Sequence, residues 1–120
     1  MTDYTEHKGH TPTIEMCIQV CMECMHECEY CADACLRGDM VEMMIECIRT
    51  CQDCADICGL SAKLMARSSD MDMEMCRVCA AACDVCAEVC EQHDDDHCRR
   101  CADACRRCAD ACRQMAQEEE

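Results

Sequence analysis

The sequence has no phenylalanine and no tryptophan, and only two tyrosines, one proline and three glycines among its 120 residues. So few helix breakers, beside abundant Ala, Met, Glu and Arg, exclude a turn-rich fold and leave an all-helical chain. No run of 18 uncharged apolar residues exists, so no segment is expected to span a membrane. The N-terminus, MTDYTEHKGHTPT, lacks a cationic start followed by an apolar run. No secretory signal is therefore expected, and the reducing cytoplasm is the expected compartment. Positive charge is also scarce: 11 Lys and Arg against 26 Asp and Glu give a formal net charge of −15. Such a surface repels phosphate backbones and anionic lipids, which removes nucleic acid and membrane from the expected partners.

What the chain has instead is cysteine, 20 residues of it. The stretch CRRCADACRRCADAC places thiols at Cys98, Cys101, Cys105, Cys108 and Cys112, alternately three and four residues apart. The same alternation runs through Cys17, Cys21, Cys24, Cys28, Cys31 and Cys35, through Cys47, Cys51, Cys54 and Cys58, and through Cys76, Cys79, Cys83, Cys86 and Cys90. No cysteine is left over. Each set is a heptad-type seam on one helix face, where Leu and Ile ordinarily build the core. CADAC recurs at Cys31, Cys101 and Cys108, with the variants CADIC at Cys54, CAAAC at Cys79 and CAEVC at Cys86. Alanine beside the thiols permits close helix approach, and the acidic and basic residues face water.

The spacing predicts an all-α, antiparallel up-down-up-down four-helix bundle with a cysteine-lined core. The helices are expected near residues 13–36, 40–66, 70–91 and 95–117 of a single domain spanning 12–120, with residues 1–11 as a flexible tail. Thr11 and Pro12 supply a cap and a first helical residue. Gly38 ends the first helix, Asp39 and Glu42 are expected to open the second, and Ser69 and Asp72 stand in capping-box spacing before the third. The run Asp94–Asp96 suits the positive end of the fourth. A second apolar stripe, including Ile45, Ile48, Leu60, Leu64, Val78, Val85 and Val89, either completes the core or forms a subunit interface.

Cysteine as mere core filler fails on volume, because a bundle lined with thiols has too few methylenes for ordinary packing. A disulfide framework fails on geometry, since neighbours on one helix face bridge only with strain. A dithiol oxidoreductase needs one low-pKa pair rather than 20 equivalent positions. Metal remains, and soft thiolates select Cu(I), Zn(II) or iron–sulfur clusters. Five zinc tetrathiolate sites would bury a charge of about −10, whereas one Cu(I) per bridging thiolate leaves the interior near neutral. Side chains at i and i+4 lie roughly 5–6 Å apart at Cβ, comparable to two metal–sulfur bonds of about 2.3 Å set end to end. Each CxxxC is thus expected to hold a linear Cu(I), with further ions between helices, and about one copper per cysteine overall. Many equivalent sites without an open coordination position indicate storage rather than catalysis or delivery. Alternatives are a zinc or cadmium thiolate sink and a thiol–disulfide redox protein.

The seam then carries a resemblance. From Cys17 to Met115, above all in MMIECIRTCQDCADICGLSAKLMARSS and CRVCAAACDVCAEVCEQHDDDHCRRCADACRRCADACRQMA, the chain resembles the bacterial four-helix-bundle copper storage proteins, in their cytosolic, leaderless branch. The resemblance implies Cu(I)–thiolate binding throughout the core by the 20 cysteines, and a homotetramer of bundles. Copper ions are the expected ligand, with copper donor or acceptor proteins as further partners.

Continuing the register beyond the thiols predicts the two ends. Ile14, Ser61, Met65, Asp72 and Met115 form a mostly apolar plug at one. Met40, Met44 and His93, with Met43 and His97 close by, stand at the other, where neutral thioether and imidazole can pass an ion inward. His26 points off the seam and is expected at the surface, while His7 and His10 belong to the tail.

Overall fold

A computed structural model describes residues 11–119 of the chain, and side-chain surroundings for 11–117. His7 and His10, with the rest of the expected tail before Thr11, lie outside the described residues. Four long helices follow one another: α1 (Pro12–Arg37), α2 (Ile45–Ala66), α3 (Asp72–Cys90) and α4 (Asp96–Glu119), with a 3-10 turn at Val41–Met44 leading into α2. Each helix packs on its two neighbours in the order α1, α2, α3, α4 and back to α1, while the diagonal pairs meet only through side chains on the axis. This is the square up-down-up-down bundle that the short connections predict.

The termini show where local sequence acts and where tertiary packing overrides it. At α1 the Ile14 N–H donates to the Thr11 hydroxyl at 3.2 Å, and Pro12 opens the helix where a missing N–H costs nothing. The expected start of α2 is corrected. Asp39 and Glu42 form no capping box, and the regular helix begins five residues later, after the 3-10 turn, with Met44 as an N-cap lacking a side-chain bond. Burial of Met44 takes precedence over side-chain capping there. The capping box at Ser69 is likewise absent. The Ser69 hydroxyl accepts the Met71 N–H at 3.1 Å in the connecting turn, and α3 starts at Asp72. The Asp94–Asp96 run does sit at the start of α4, where the Asp95 carbonyl accepts the Arg99 N–H.

The end of α2 is a Schellman motif built without glycine. The Ser69 N–H reaches the Leu64 carbonyl at 2.9 Å and the Ser68 N–H reaches that of Met65 at 3.1 Å. Ser68 sits at φ 52°, the left-handed region in which a side chain is strained.

All 20 thiols point to the axis, and none is more than 3% exposed. Buried alanines flank them, among them Ala55, Ala87, Ala104 and Ala109, and bring the backbones close. Gly59 serves the same end, since a Cβ there would lie 3.0 Å from the Met25 sulfur on α1. The second apolar stripe divides. Ile48, Leu64 and Val89 are buried and complete the core, while Ile45, Leu60, Val78 and Val85 remain 41–51% exposed. Outside, α4 carries more arginine than the other three helices. Arg100 pairs with Glu27 of α1 at 3.1 Å and lies over the Tyr30 ring, while Arg106 binds Glu91 at the C-cap of α3 at 2.8 Å and Arg113 binds Asp84 of α3.

Replacing Ser68 by glycine removes the left-handed strain, and the expected gain is about 0.5–1 kcal/mol. Urea denaturation of the reduced, metal-free protein should show a higher midpoint for Ser68→Gly with an unchanged slope.

Candidate metal centre

Because the alternation of three and four matches the helical repeat, each helix delivers its thiols as a straight stripe, and four stripes meet along one axis. Across helices the sulfurs touch. Cys28 and Cys101, Cys21 and Cys108, Cys58 and Cys79, and Cys54 and Cys83 are each 3.6 Å apart. Along single helices, Cys24 and Cys28 are 4.0 Å apart, Cys54 and Cys58 3.9 Å, and Cys86 and Cys90 4.0 Å. A linear ion between two sulfurs needs about 4.6 Å with bonds of about 2.3 Å. The CxxxC pairs therefore meet an ion at a bent angle unless the thiols rotate apart, which refines the linear geometry expected from spacing.

The sulfurs also gather in fours, with the members of a group within 4.8 Å of one another. Cys24, Cys58, Cys83 and Cys108 form one group with a thiol from every helix, and Cys31, Cys51, Cys90 and Cys101 form another. Membership overlaps. Cys24 also meets Cys28, Cys54 and Cys105, and Cys108 also meets Cys21, Cys79 and Cys112. The column is one ladder of shared ligands rather than a set of separate cages, which suits thiolates that bridge two metal ions.

Ionisation varies along it. Hydrogen bonds from Cys108, Cys112 and Cys17 bring the Cys21 thiol down to about 6. At the opposite end, burial pushes the Cys35 thiol up, helped by the nearby Cys47 and Cys31 sulfurs. Burial raises Cys98 as well, with Cys31, Cys47 and Cys35 adding to it.

The two ends differ. Ile14, Ser61, Met65, Asp72 and Met115 are all buried and close the end at the start of α1 and α3. The other end carries nitrogen. The His97 Nδ1 lies 3.4 Å from the Cys31 sulfur and 3.5 Å from that of Cys98, and its Nε2 faces the Asp95 carboxylate at 3.4 Å. Among the residues singled out from sequence at this end, His97 meets the thiols directly and Met44 is buried. His93 is half-buried, and Met40 and Met43 are exposed at 58% and 67%. His26 is at the surface as expected. Two contacts are new to the structure. Asp95, read from sequence as a helix start, also orients His97, and Met65, read as filler, places its sulfur 3.8 Å from Cys76. The second had a sequence signal, because Ser61 and Met65 continue the alternation of Cys51, Cys54 and Cys58.

Comparison with known proteins agrees with this geometry. Residues 10–117 match the family model of Csp, the copper storage protein. The cysteine-rich protein YhjQ of Bacillus subtilis (strain 168) is 43% identical over 88 residues, covering 73% of this chain and 82% of YhjQ. The Cu(I)-bound copper storage protein BsCsp3 superposes with a TM-score of 0.84 at 42% identity, over 87% of this chain and 98% of its own. A cytosolic copper storage protein from Streptomyces lividans, loaded with five coppers, superposes with a TM-score of 0.85 at 36% identity, over 88% and 92%. A buried ladder of thiols in a four-helix bundle, matched over nearly its whole length, makes this chain a member of the Csp copper storage protein family.

Proposed function

We propose that this chain is a cytosolic store for Cu(I), holding on the order of one ion per cysteine and carrying no catalytic apparatus. The observation that carries the reading is the uninterrupted ladder of buried, mutually touching sulfurs. Its ligands are Cys17, Cys21, Cys24, Cys28, Cys31, Cys35, Cys47, Cys51, Cys54, Cys58, Cys76, Cys79, Cys83, Cys86, Cys90, Cys98, Cys101, Cys105, Cys108 and Cys112. Each Cu(I) that binds replaces one thiol proton, so the charge of the dry interior hardly changes as it fills. Sulfur spacings of 3.6–4.0 Å also suit a tetrahedral ion, but zinc in such a ladder accumulates buried negative charge.

Copper enters at the end formed by the starts of α2 and α4. Met40 and Met43 offer exposed thioethers there, Met44 is buried and His93 is half-buried. His97 presents Nδ1 to Cys31 and Cys98, its other nitrogen held by Asp95, the arrangement that fixes a metal-binding imidazole. Bundles associate through the exposed Ile45, Leu60, Val78 and Val85 into a homotetramer, as the family resemblance implies. Copper donor and acceptor proteins dock at the portal.

Anaerobic titration of the reduced protein with Cu(I) against a competing chelator should proceed to near 20 ions per chain, with thiol reactivity disappearing in step. Saturation near one metal per four thiols would identify a zinc-type sink. The raised Cys35 and Cys98 thiols are protonated at neutral pH, so copper must displace their protons. Apparent affinity at the portal should therefore rise with pH, by up to about tenfold per unit for each proton released.

His97→Ala should slow copper uptake about tenfold or more while leaving final capacity within one or two ions of normal. Stopped-flow absorbance of the growing Cu(I)–thiolate band checks this, and an unchanged rate removes His97 from the portal. Substituting Met40, Met44 and His93 in the same assay tests their share.

Light scattering should give a mass about four times the 13.6 kDa of the chain. Val78→Glu combined with Val85→Glu should break the assembly without loss of helicity.

A further inference from the structure

The closed end contains a thiol whose surroundings differ from those deeper in the ladder. Cys76 lies one turn into α3, fully buried. Its S–H donates to the Met65 Sδ at 3.8 Å, and the Ser61 hydroxyl lies 3.9 Å from the same sulfur. Met65 is itself 0% exposed, the largest side chain buried so completely. Both Ser61 and Met65 occupy α2 positions where the repeat would otherwise place cysteine. Leucine fills such a position as well as methionine does, at similar volume and helix propensity, so packing alone does not account for a thioether aimed at a thiol.

We propose that the Cys76 Sγ and the Met65 Sδ together hold a Cu(I) ion that terminates the copper column at its closed end. This rests on the copper-storage reading and adds to the thiolate ladder a mixed thiolate–thioether site. At a sulfur separation of 3.8 Å, two bonds of about 2.3 Å meet at about 110°. That angle is bent, so a third ligand completes the ion. It comes from the adjoining layer, where Cys17 and Cys112 touch at 3.9 Å.

The chemistry is balanced without any redox step. Cu(I) replaces the Cys76 proton, which leaves to solvent, and the thioether contributes a lone pair and no charge. A neutral ligand suits the last position in the column. The ion there has thiolates on one side only, and the plug beyond it is apolar at Ile14 and Met115 and carries its carboxylate at Asp72, so a further thiolate would add a second buried anion there. Met65 thus ends the ladder while leaving no unpaired thiolate against the plug.

Selenium substitution reads the bond directly. In selenomethionine-labelled protein carrying Met40→Leu, Met43→Leu and Met44→Leu, the portal thioethers are gone. Selenium-edge X-ray absorption after full Cu(I) loading should then show a copper neighbour at about 2.4 Å, slightly beyond the usual metal–sulfur distance. Adding Met65→Leu should abolish that shell while total copper falls by no more than one ion per chain. If that variant does not fold, Cys76→Ala in the same background must abolish the shell instead. A fully loaded protein with no selenium–copper shell, or a shell that survives either substitution, overturns the Met65 site and leaves copper storage standing. A reduced protein that takes up no copper overturns both.

Discussion

Sulfur-to-sulfur contact along the bundle axis is the constraint on which the rest of this structure depends. A thiol is short and contributes little volume, so helices lined with thiols must approach closely to make any core at all. The alanines beside the seam and Gly59 against Met25 permit that approach, and the result is a column whose sulfurs stand 3.6–4.0 Å apart. Those are also the separations that bent coordination requires at metal–sulfur bonds of about 2.3 Å. The core is therefore spaced for metal by its helix packing alone. Ions can occupy the interstices between sulfurs with small side-chain rotations and little movement of the backbone.

The same constraint gives the column its two different ends. Where the heptad pattern stops at the starts of α1 and α3, Ile14, Met65 and Met115 seal it with apolar bulk. Where it stops at the starts of α2 and α4, the connections carry histidine, methionine and aspartate, and His97 turns a ring nitrogen onto Cys31 and Cys98. Up-down-up-down topology makes this segregation automatic. Both connections at the histidine-bearing end, α1 to α2 and α3 to α4, are brought together there, whereas the α2 to α3 connection lies at the sealed end.

Surface charge serves orientation more than net stability. The exposed pairs of Arg100 with Glu27 and of Arg106 with Glu91 are individually weak. Together with Arg113 and Asp84 they tie α4 to α1 on one side and to α3 on the other, which holds the α4 thiols in register with theirs. The remaining acidic excess keeps solvent cations near a protein whose cargo is a cation.

The architecture and the thiol ladder were legible in the sequence, because a strict alternation of three and four is both a helix signal and a statement of which face turns inward. That reading needs no tertiary information, and it also located both ends of the column by extending the register to Met65 and Met115 in one direction and toward His93 in the other. Helix starts were less legible. Capping residues compete with other demands: α2 opens through a 3-10 turn onto the buried Met44 rather than at Asp39, and at Ser69 the N–H and hydroxyl are taken by the turn that ends α2 and leads to α3. Only the tertiary structure decided which sulfurs meet, since cross-helix pairs such as Cys28 with Cys101 depend on the relative heights of different helices. It alone divided the second apolar stripe into the buried Ile48, Leu64 and Val89 and the exposed Val78 and Val85. The same applies to His97 over His93 and to the Met65 sulfur on Cys76. Periodicity specifies a face of one helix, whereas coordination is a relation among several helices, and that relation exists only once they have packed.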